Sequence, residues 1–344
     1  MIRKNIKYYA LVALVILTVG IALCLRFLSG TESTYETSFF AMDTYMSVKG
    51  TGRDAQGAVE AVRDAIIGLD GDLSVTNPES LVYELNAQGT CTADSDMEYL
   101  IEKSLSASDL TDGAFNICIY PIMKEWGFTT GEFKVPEASA LSALCDELAS
   151  SEVTLNKQDK SVRLSEGTMI DFGGIAKGYA TKVAVDIMNS KRISSALINL
   201  GGNVYALGKK PDGSLWNVAV KSPVDSIKYL GVLSVSDKAV ITSGGYERYF
   251  EEGGITYHHI IDPSTGYPAD SGAQSVTVVS SDPTLADALS TAIFVMGEDK
   301  ATALWRDNSE LFDFIYFDAS ANLFITEGIK DEFSSEIDFK IIEK

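Results

Sequence analysis

The chain holds two histidines in 344 residues, and they are adjacent, in the run Tyr257-His258-His259-Ile260-Ile261-Asp262-Pro263-Ser264-Thr265-Gly266-Tyr267-Pro268. Imidazole titrates nearest neutrality of all side chains, so the pair suggests proton transfer. A β-rich run over residues 255–261 ends in Asp-Pro-Ser-Thr-Gly, which has the composition of a tight turn. On an alternating strand His258 and His259 point to opposite faces, so at most one serves a given site. The same pattern also suits two ordinary strand histidines, one packed and one wet.

Four other segments gather glycine with polar groups. In Ile170-Asp171-Phe172-Gly173-Gly174-Ile175-Ala176-Lys177-Gly178 a strand end runs through glycines into a helix start, leaving free N–H groups and a positive dipole end that suit a phosphate. Lys177 adds a point charge. The spacing is neither a Walker A nor a GxGxxG motif, and such a segment is also a common turn. Asn199-Leu200-Gly201-Gly202-Asn203 reads as a hairpin turn between strands, and Thr242-Ser243-Gly244-Gly245-Tyr246 as a strand ending in small residues. In Asp282-Pro283-Thr284-Leu285-Ala286-Asp287-Ala288-Leu289-Ser290-Thr291 the Asp caps a helix and Pro occupies its first turn. Asp287 and Thr291 then share one face at i and i+4 and could both reach a hard cation such as Mg²⁺. Asp287 is otherwise an isolated carboxylate among apolar neighbours, which is costly without a partner.

The elements that must position these groups follow from periodicity. Residues 38–50 read as a strand with a kink at Met42-Asp43-Thr44, and residues 55–69, 97–110 and 138–149 as helices, the second capped by Asp96. From residue 153 short β-rich runs dominate, interrupted by helical patterns at 175–189 and 284–296. The expected fold class is α+β: a single large domain over residues 31–344, with a mostly antiparallel sheet and packed helices.

Residues 1–30 differ. Arg3, Lys4 and Lys7 precede an uncharged run over residues 8–25, close to the ~18 residues at which a membrane span becomes plausible. With Arg26 alone following it, the charge bias predicts a single N-terminal anchor at the cell membrane, the catalytic domain lying outside the cytoplasm. A cleaved signal peptide, giving a secreted form, and a lipoprotein anchored at Cys24 are the alternatives. Without the four basic residues of this segment the formal charge moves from −20 to about −24, which excludes nucleic acid as a partner. An anionic ligand here needs a metal ion or a local nest of N–H groups. Cys91, Cys118 and Cys145 form neither a CxxC pair nor a readable zinc site.

Taken in order, these blocks resemble the ApbE family of FAD:protein FMN transferases. The likeness runs from Phe39 to about Gly297 and includes Ala41-Met42-Asp43-Thr44, Gly113 to Phe128, Asp171 to Ala180, Asn199-Leu200-Gly201-Gly202, Thr242-Ser243-Gly244, Tyr257 to Pro268, and Ala286 to Thr291. It implies the family's T-fold-like α+β architecture and transfer of the FMN half of FAD, the substrate, to a Thr or Ser hydroxyl of an acceptor flavoprotein, with release of AMP. It further implies Mg²⁺ held by Asp287, Thr291 and a carbonyl near Gly174, and FAD contacted by Met42, Ala114, Phe115, Asn116, Asp171, Lys177 and Ile260. His259 becomes the base and His258 the spare. Two departures stand out. Asn116 replaces a common Asp, and the segment Ser74-Val75-Thr76-Asn77-Pro78 lacks an aromatic often present there. An FAD pyrophosphatase and a flavin-binding module without chemistry are the competing functions.

Overall fold

Alternation along residues 33–52 folds the chain back on itself. In the computed structural model, β1 (Ser33–Ala41) and β2 (Thr44–Gly52) pair antiparallel from Ser33 opposite Gly52 to Ala41 opposite Thr44. The single kinked strand expected over residues 38–50 is instead a hairpin, because the chain reverses in a two-residue turn with φ of 47° at Met42 and 58° at Asp43. The structure describes residue 18 and residues 32–225 and 227–344. The anchor expectation for residues 1–30 therefore falls, Thr18 aside, outside them. Among the described residues no helix is long and apolar enough to cross a membrane.

Helix α1 (Ala55–Asp72) buries Val59, Val62, Ile66 and Leu69, the face its spacing predicts. After α2 (Leu81–Gln88) and the short β3 (Thr90–Thr92), helix α3 (Ser95–Leu110) starts earlier than expected. Its cap is Asp94, whose Oδ1 accepts from the N–H groups of Asp96 and Met97, so Asp96 is inside the helix and not its cap. Two helices follow, α4 (Tyr120–Glu125) and α5 (Ala138–Ala149), then β4 (Val153–Asn156) and β5 (Ser161–Leu164), which form a small sheet with β3.

Helix α6 (Ala176–Ser190) leads into β6 (Ser195–Leu200), β7 (Asn203–Gly208), β8 (Trp216–Lys221), β9 (Tyr229–Val235) and β10 (Lys238–Gly244). The hairpin of β11 (Tyr249–Glu252) and β12 (Ile255–His258) precedes β13 (Ala273–Ser280). Helix α7 (Pro283–Asn308) is two helical segments: the first ends at Met296, as its pattern predicts, because Gly297 is non-helical with φ of 80° and ψ of 172°, and a second segment follows. The chain ends with β14 (Asp313–Asp318), β15 (Leu323–Thr326), β16 (Phe333–Ser334) and β17 (Phe339–Ile342).

Nine strands make the main sheet, in the order β1-β2-β6-β7-β10-β13-β14-β15-β17, antiparallel throughout except for β15 beside β17. This is the α+β, mostly antiparallel architecture expected. Helices α1, α6 and α7 cover one face, and the sheet β16-β9-β8 covers part of the other with Trp216, Val218, Leu230 and Leu233 against Ala206, Val240, Ile315 and Ile325.

Gly178 sets how closely α6 and α7 cross. A Cβ there would lie 2.4 Å from the Pro283 carbonyl oxygen and 2.6 Å from the Asp287 Cβ. Neither α7 atom can move without shifting its helix. Gly178→Ala should therefore lower stability by about 1–3 kcal/mol, as overpacking does. Urea unfolding would read this as a lower midpoint at unchanged slope; an unshifted midpoint would mean that the helices have room to separate.

Candidate active site

The loop from Asp171 into α6 is held from both ends before any ligand is considered. Asn86 grips Ile170 twice, accepting its N–H at 2.7 Å and donating to its carbonyl at 2.8 Å. The Asp171 N–H donates to the Ile117 carbonyl, and the Asp171 Oδ1 accepts from the Gly173 N–H at 2.8 Å. Phe172 and Ile175 are buried beneath. With its backbone so fixed, the loop delivers Lys177 in the first turn of α6 to the floor of an open cavity of about 590 Å³.

Three turns form the walls. Met42, Asp43 and Thr44 contribute the first hairpin tip, and Gly201 belongs to the second, whose φ of 66° suits glycine and whose Cβ would strike Thr44 at 2.3 Å. Tyr246, Glu247 and Arg248 follow the end of β10, and Lys221 ends β8. Lys221 sits over the Tyr246 ring, 5.5 Å from its centre. Ser74, Val75 and Thr76 also line the cavity, so the segment that lacks an aromatic faces it.

His259 reaches this cavity and His258 does not, as strand alternation predicts. The β-ladder ends at His258, three residues before the end of the β-rich run, but its register continues: the Arg248 carbonyl accepts both the His259 N–H and the ring Nδ1–H, each at 3.0 Å. A ring that donates from Nδ1 leaves Nε2 unprotonated, the form a base requires. Burial pushes its pKa down to about 4, with the charges of Arg248 and Lys177 acting in the same sense. His258 instead turns Nε2 to the Ala269 carbonyl at 3.2 Å and packs edge-on against Phe294.

Three carboxyls at or beside the cavity are driven the other way. Burial raises the pKa of Asp171 against the opposing pull of the Gly173 N–H and Arg248. It raises Glu247, which is solvent-accessible yet closely walled, against Lys177 and Lys221. It also raises Asp287, opposed by Lys177, the Gly178 N–H and the Asn203 amide. The Gly178 N–H donates to Asp287 Oδ2 at 2.7 Å, whereas the buried Asn203 Nδ2 stays short of hydrogen-bond geometry with any partner.

Thr291 lies one turn beyond Asp287, and Ser243 Oγ stands 3.5 Å from its Oγ1 and 2.7 Å from Ser290 Oγ. A Cβ on Gly174 would lie 3.7 Å from Thr291 Oγ1, so the glycine loop adjoins that hydroxyl. Among the described residues no three His, Cys, Asp or Glu side chains gather as a metal cage. The donors here are oxygens, one of them on the buried Asp287 carboxylate. This suits Mg²⁺, which is commonly held by one or two carboxylates together with substrate phosphates.

Of the residues expected to touch FAD, Met42, Asp171 and Lys177 line the cavity with His259. Phe115 is buried, its ring 3.1 Å from where a Gly174 Cβ would be, so it supports the glycine loop from behind. The Asn116 side chain accepts from the Cys118 N–H, and Ala114 lines a separate cavity of about 560 Å³. Ile260 is buried, with its carbonyl bonded to the Ala269 N–H. Sequence reasoning missed Lys221, Glu247 and Arg248. The available signal was that Glu247 and Arg248 directly follow the Ser243-Gly244-Gly245-Tyr246 segment.

An imidazole free at Nε2, a group of cations and an adjoining oxygen-donor pair suit phosphoryl transfer from one oxygen to another, where catalysis is mostly positioning and charge neutralisation. The chain belongs to the ApbE family, which it matches over residues 42–315. It is 34% identical over 267 residues to the FAD:protein FMN transferase of Klebsiella pneumoniae (strain 342), covering 76% of this chain and 82% of that one. It is likewise 34% identical over 277 residues to the FAD:protein FMN transferase of Treponema pallidum (strain Nichols), covering 75% and 76%. The crystal structure of the ApbE protein of Thermotoga maritima superposes with a TM-score of 0.81 at 30% identity, over 87% of this chain and 99% of that one. The apo flavinyl transferase ApbE of Pseudomonas stutzeri gives 0.78 at 26%, over 89% and 98%.

The depressed His259 pKa has a sign that can be checked. Between its ordinary value of 6.5 and about 4 the unfolded chain binds a proton that the folded chain refuses, so this group's contribution lowers stability as pH falls through that window. The raised carboxyls act oppositely, so the test is a difference. His259→Gln should flatten the loss of stability between pH 6.5 and 4 relative to the parent in urea melts, and identical slopes would contradict the depressed value.

Proposed function

We propose that this chain is an FAD:protein FMN transferase acting on a Thr or Ser hydroxyl of an exported or membrane redox protein. The observation that carries the reading is His259: its Nδ1 is committed to the Arg248 carbonyl, and it shares one cavity with Asp171 and Lys177. The acceptor oxygen attacks the phosphorus of the FMN half and its proton passes to His259 Nε2. The bond from that phosphorus to the bridging oxygen breaks, and AMP departs. The helix dipole of α6 and the Lys177 ammonium favour the pyrophosphate at the floor.

Asp287, Thr291 and a carbonyl of the Gly174 loop are the groups that would hold Mg²⁺, which when bound offsets the charge of the pyrophosphate and of the leaving AMP. The buried Asp287 carboxyl, raised in pKa and bonded to one N–H, supports that assignment. The basic-then-apolar pattern of residues 1–26 supports an anchor that holds the catalytic part outside the cytoplasm.

Incubating the full chain with FAD, Mg²⁺ and a candidate redox acceptor should yield an acceptor heavier by one FMN, with an equivalent of AMP. Free FMN in the presence of a competent acceptor would instead define a pyrophosphatase. His259→Ala should reduce turnover about 10²–10⁴-fold, the usual worth of a general base, while flavin still binds; unchanged turnover removes His259 from the reaction. Asp287→Asn should raise the Mg²⁺ concentration needed for half-maximal rate. An unaltered Mg²⁺ dependence would place the metal elsewhere.

A further inference from the structure

We propose that Arg248 is the positioning residue of His259, setting the orientation and tautomer of its ring through three contacts made by one residue. The inference rests on His259 being the base, and it adds a residue that neither the histidine run nor the glycine segments pointed to.

The first two contacts come from the Arg248 carbonyl. β11 and β12 pair with Tyr249 opposite His258, and the next rung outward places Arg248 against His259. There the carbonyl accepts the main-chain N–H of His259 at 3.0 Å and its ring Nδ1–H at 3.0 Å. Using both lone pairs on one residue ties the ring to its own backbone. The third contact is made by the side chain. An Arg248 Nη2 donates to the Phe128 carbonyl, and the Phe128 ring stands edge-on to His259 with centroids 6.4 Å apart. The guanidinium thus joins the 120s loop to the β-ladder rung, and the imidazole sits between the two. Phe128 is itself fully buried and packs on Phe133 and Phe250, so the loop end that Arg248 grips is part of an aromatic cluster.

Several charged groups face His259. Arg248 comes from the β10–β11 connection, Lys177 from α6 and His258 from the neighbouring position of its own segment; all three disfavour the imidazolium. Asp171 from the glycine loop and Glu247 from the β10–β11 connection line the same cavity with opposite charge. Arg248 also favours the ionised form of Asp171. It therefore acts on both the geometry and the charge state of the base. A planar fork can hold the Phe128 carbonyl in a fixed direction, whereas a lysine would supply only charge.

The experiment uses the full chain labelled with ¹⁵N-histidine. Because the sequence holds two histidines, His258→Gln assigns their signals. Long-range ¹H–¹⁵N spectra of the parent should show His259 protonated on Nδ1 and bare on Nε2, with a titration midpoint near 4. Arg248→Met keeps the carbonyl, so the Nδ1-protonated tautomer should persist, while the midpoint rises because a neighbouring cation has gone and the ring's rung loses its tie to Phe128. Turnover should fall about tenfold, with the KM for FAD within about twofold of the parent. Arg248→Lys should keep the low midpoint yet lose a similar share of turnover, separating charge from orientation. An Nε2-protonated ring in the parent overturns the proposal. So does an Arg248→Met protein with parental midpoint and turnover, or one whose KM for FAD rises at unchanged kcat, which would place Arg248 on the flavin nucleotide. The spectra require no acceptor and no transfer, so a chain that hydrolyses FAD instead of transferring FMN fails the proposed function while leaving this inference to be judged separately.

Discussion

The bond from the Gly178 N–H to Asp287 Oδ2 is the constraint on which the rest of the site depends. A helix start leaves N–H groups without intrahelical partners, and a carboxylate brought there from another helix meets both an unused donor and the positive end of the dipole. Here the two helices must approach within a side-chain radius, which glycine at 178 permits. One contact therefore fixes the crossing of α6 and α7, the direction in which Lys177 points, and the position of Thr291 one turn along α7. The Gly173-Gly174 loop is then confined between the α6 start in front and the Phe115 ring behind. It also explains how an acid survives in a stretch of α7 that is otherwise uncharged up to Gly297: Oδ2 accepts the Gly178 N–H, and Lys177 and the Asn203 amide further oppose the cost of burial.

Charge is arranged against the trend of the whole molecule. A chain of formal charge −20 repels anions at long range, yet Lys177, Lys221 and Arg248 converge on one cavity. Four acids, Asp43, Asp70, Asp171 and Glu247, line the same cavity, so these cations favour a phosphate only at short range, within a Debye length of ~8–10 Å. The acids among these cations moderate them. Glu247 stands with Lys177 and Lys221, and Asp171 faces Arg248. A bound pyrophosphate would compete with those carboxyls for the same cations, which gives their raised pKa values a physical use: a carboxyl that is easily protonated gives way to a phosphate at low electrostatic cost.

Much of the architecture could be read from residue order. Helical spacing located α1 and α5, the Gly201-Gly202 pair located one hairpin turn, and strand alternation put the two histidines on opposite faces, with the family resemblance choosing His259. What escaped has physical reasons. Asp94 and Asp96 are both competent caps two residues apart, and only the backbone decides between them. The second helical segment of α7, after the non-helical Gly297, escapes a sequence reading altogether, since its charged residues mask the apolar period. Lys221, at the end of β8, reaches the cavity through tertiary packing that leaves no local pattern, whereas Glu247 and Arg248 are marked only by following the Ser243-Gly244-Gly245-Tyr246 segment. Phe115 illustrates the converse: the type suggested stacking on a ring, but the fold placed it in the core beneath a glycine that needs its support.

The site sits where it does because three chain reversals end at one edge of the same sheet. β2 neighbours β6, β6 pairs with β7 and β7 with β10, so the tips at Met42-Asp43 and Gly201-Gly202 and the exit of β10 must lie side by side. A two-residue turn with positive φ at both positions matches the twist of its strands and usually employs Asn and Gly. The second tip obeys that rule with Gly201 and Gly202. The first breaks it, holding Met42 and Asp43 at positive φ, a conformation that costs free energy for side chains with a Cβ. Nothing in the strands requires those residues, since a glycine would serve the turn better. Their side chains, however, face the cavity, and glycine has none to offer. The strain at that tip is thus the local cost of putting a flexible apolar side chain and a carboxylate at the lip of a polar cleft, and the nine-stranded sheet behind it is rigid enough to sustain it.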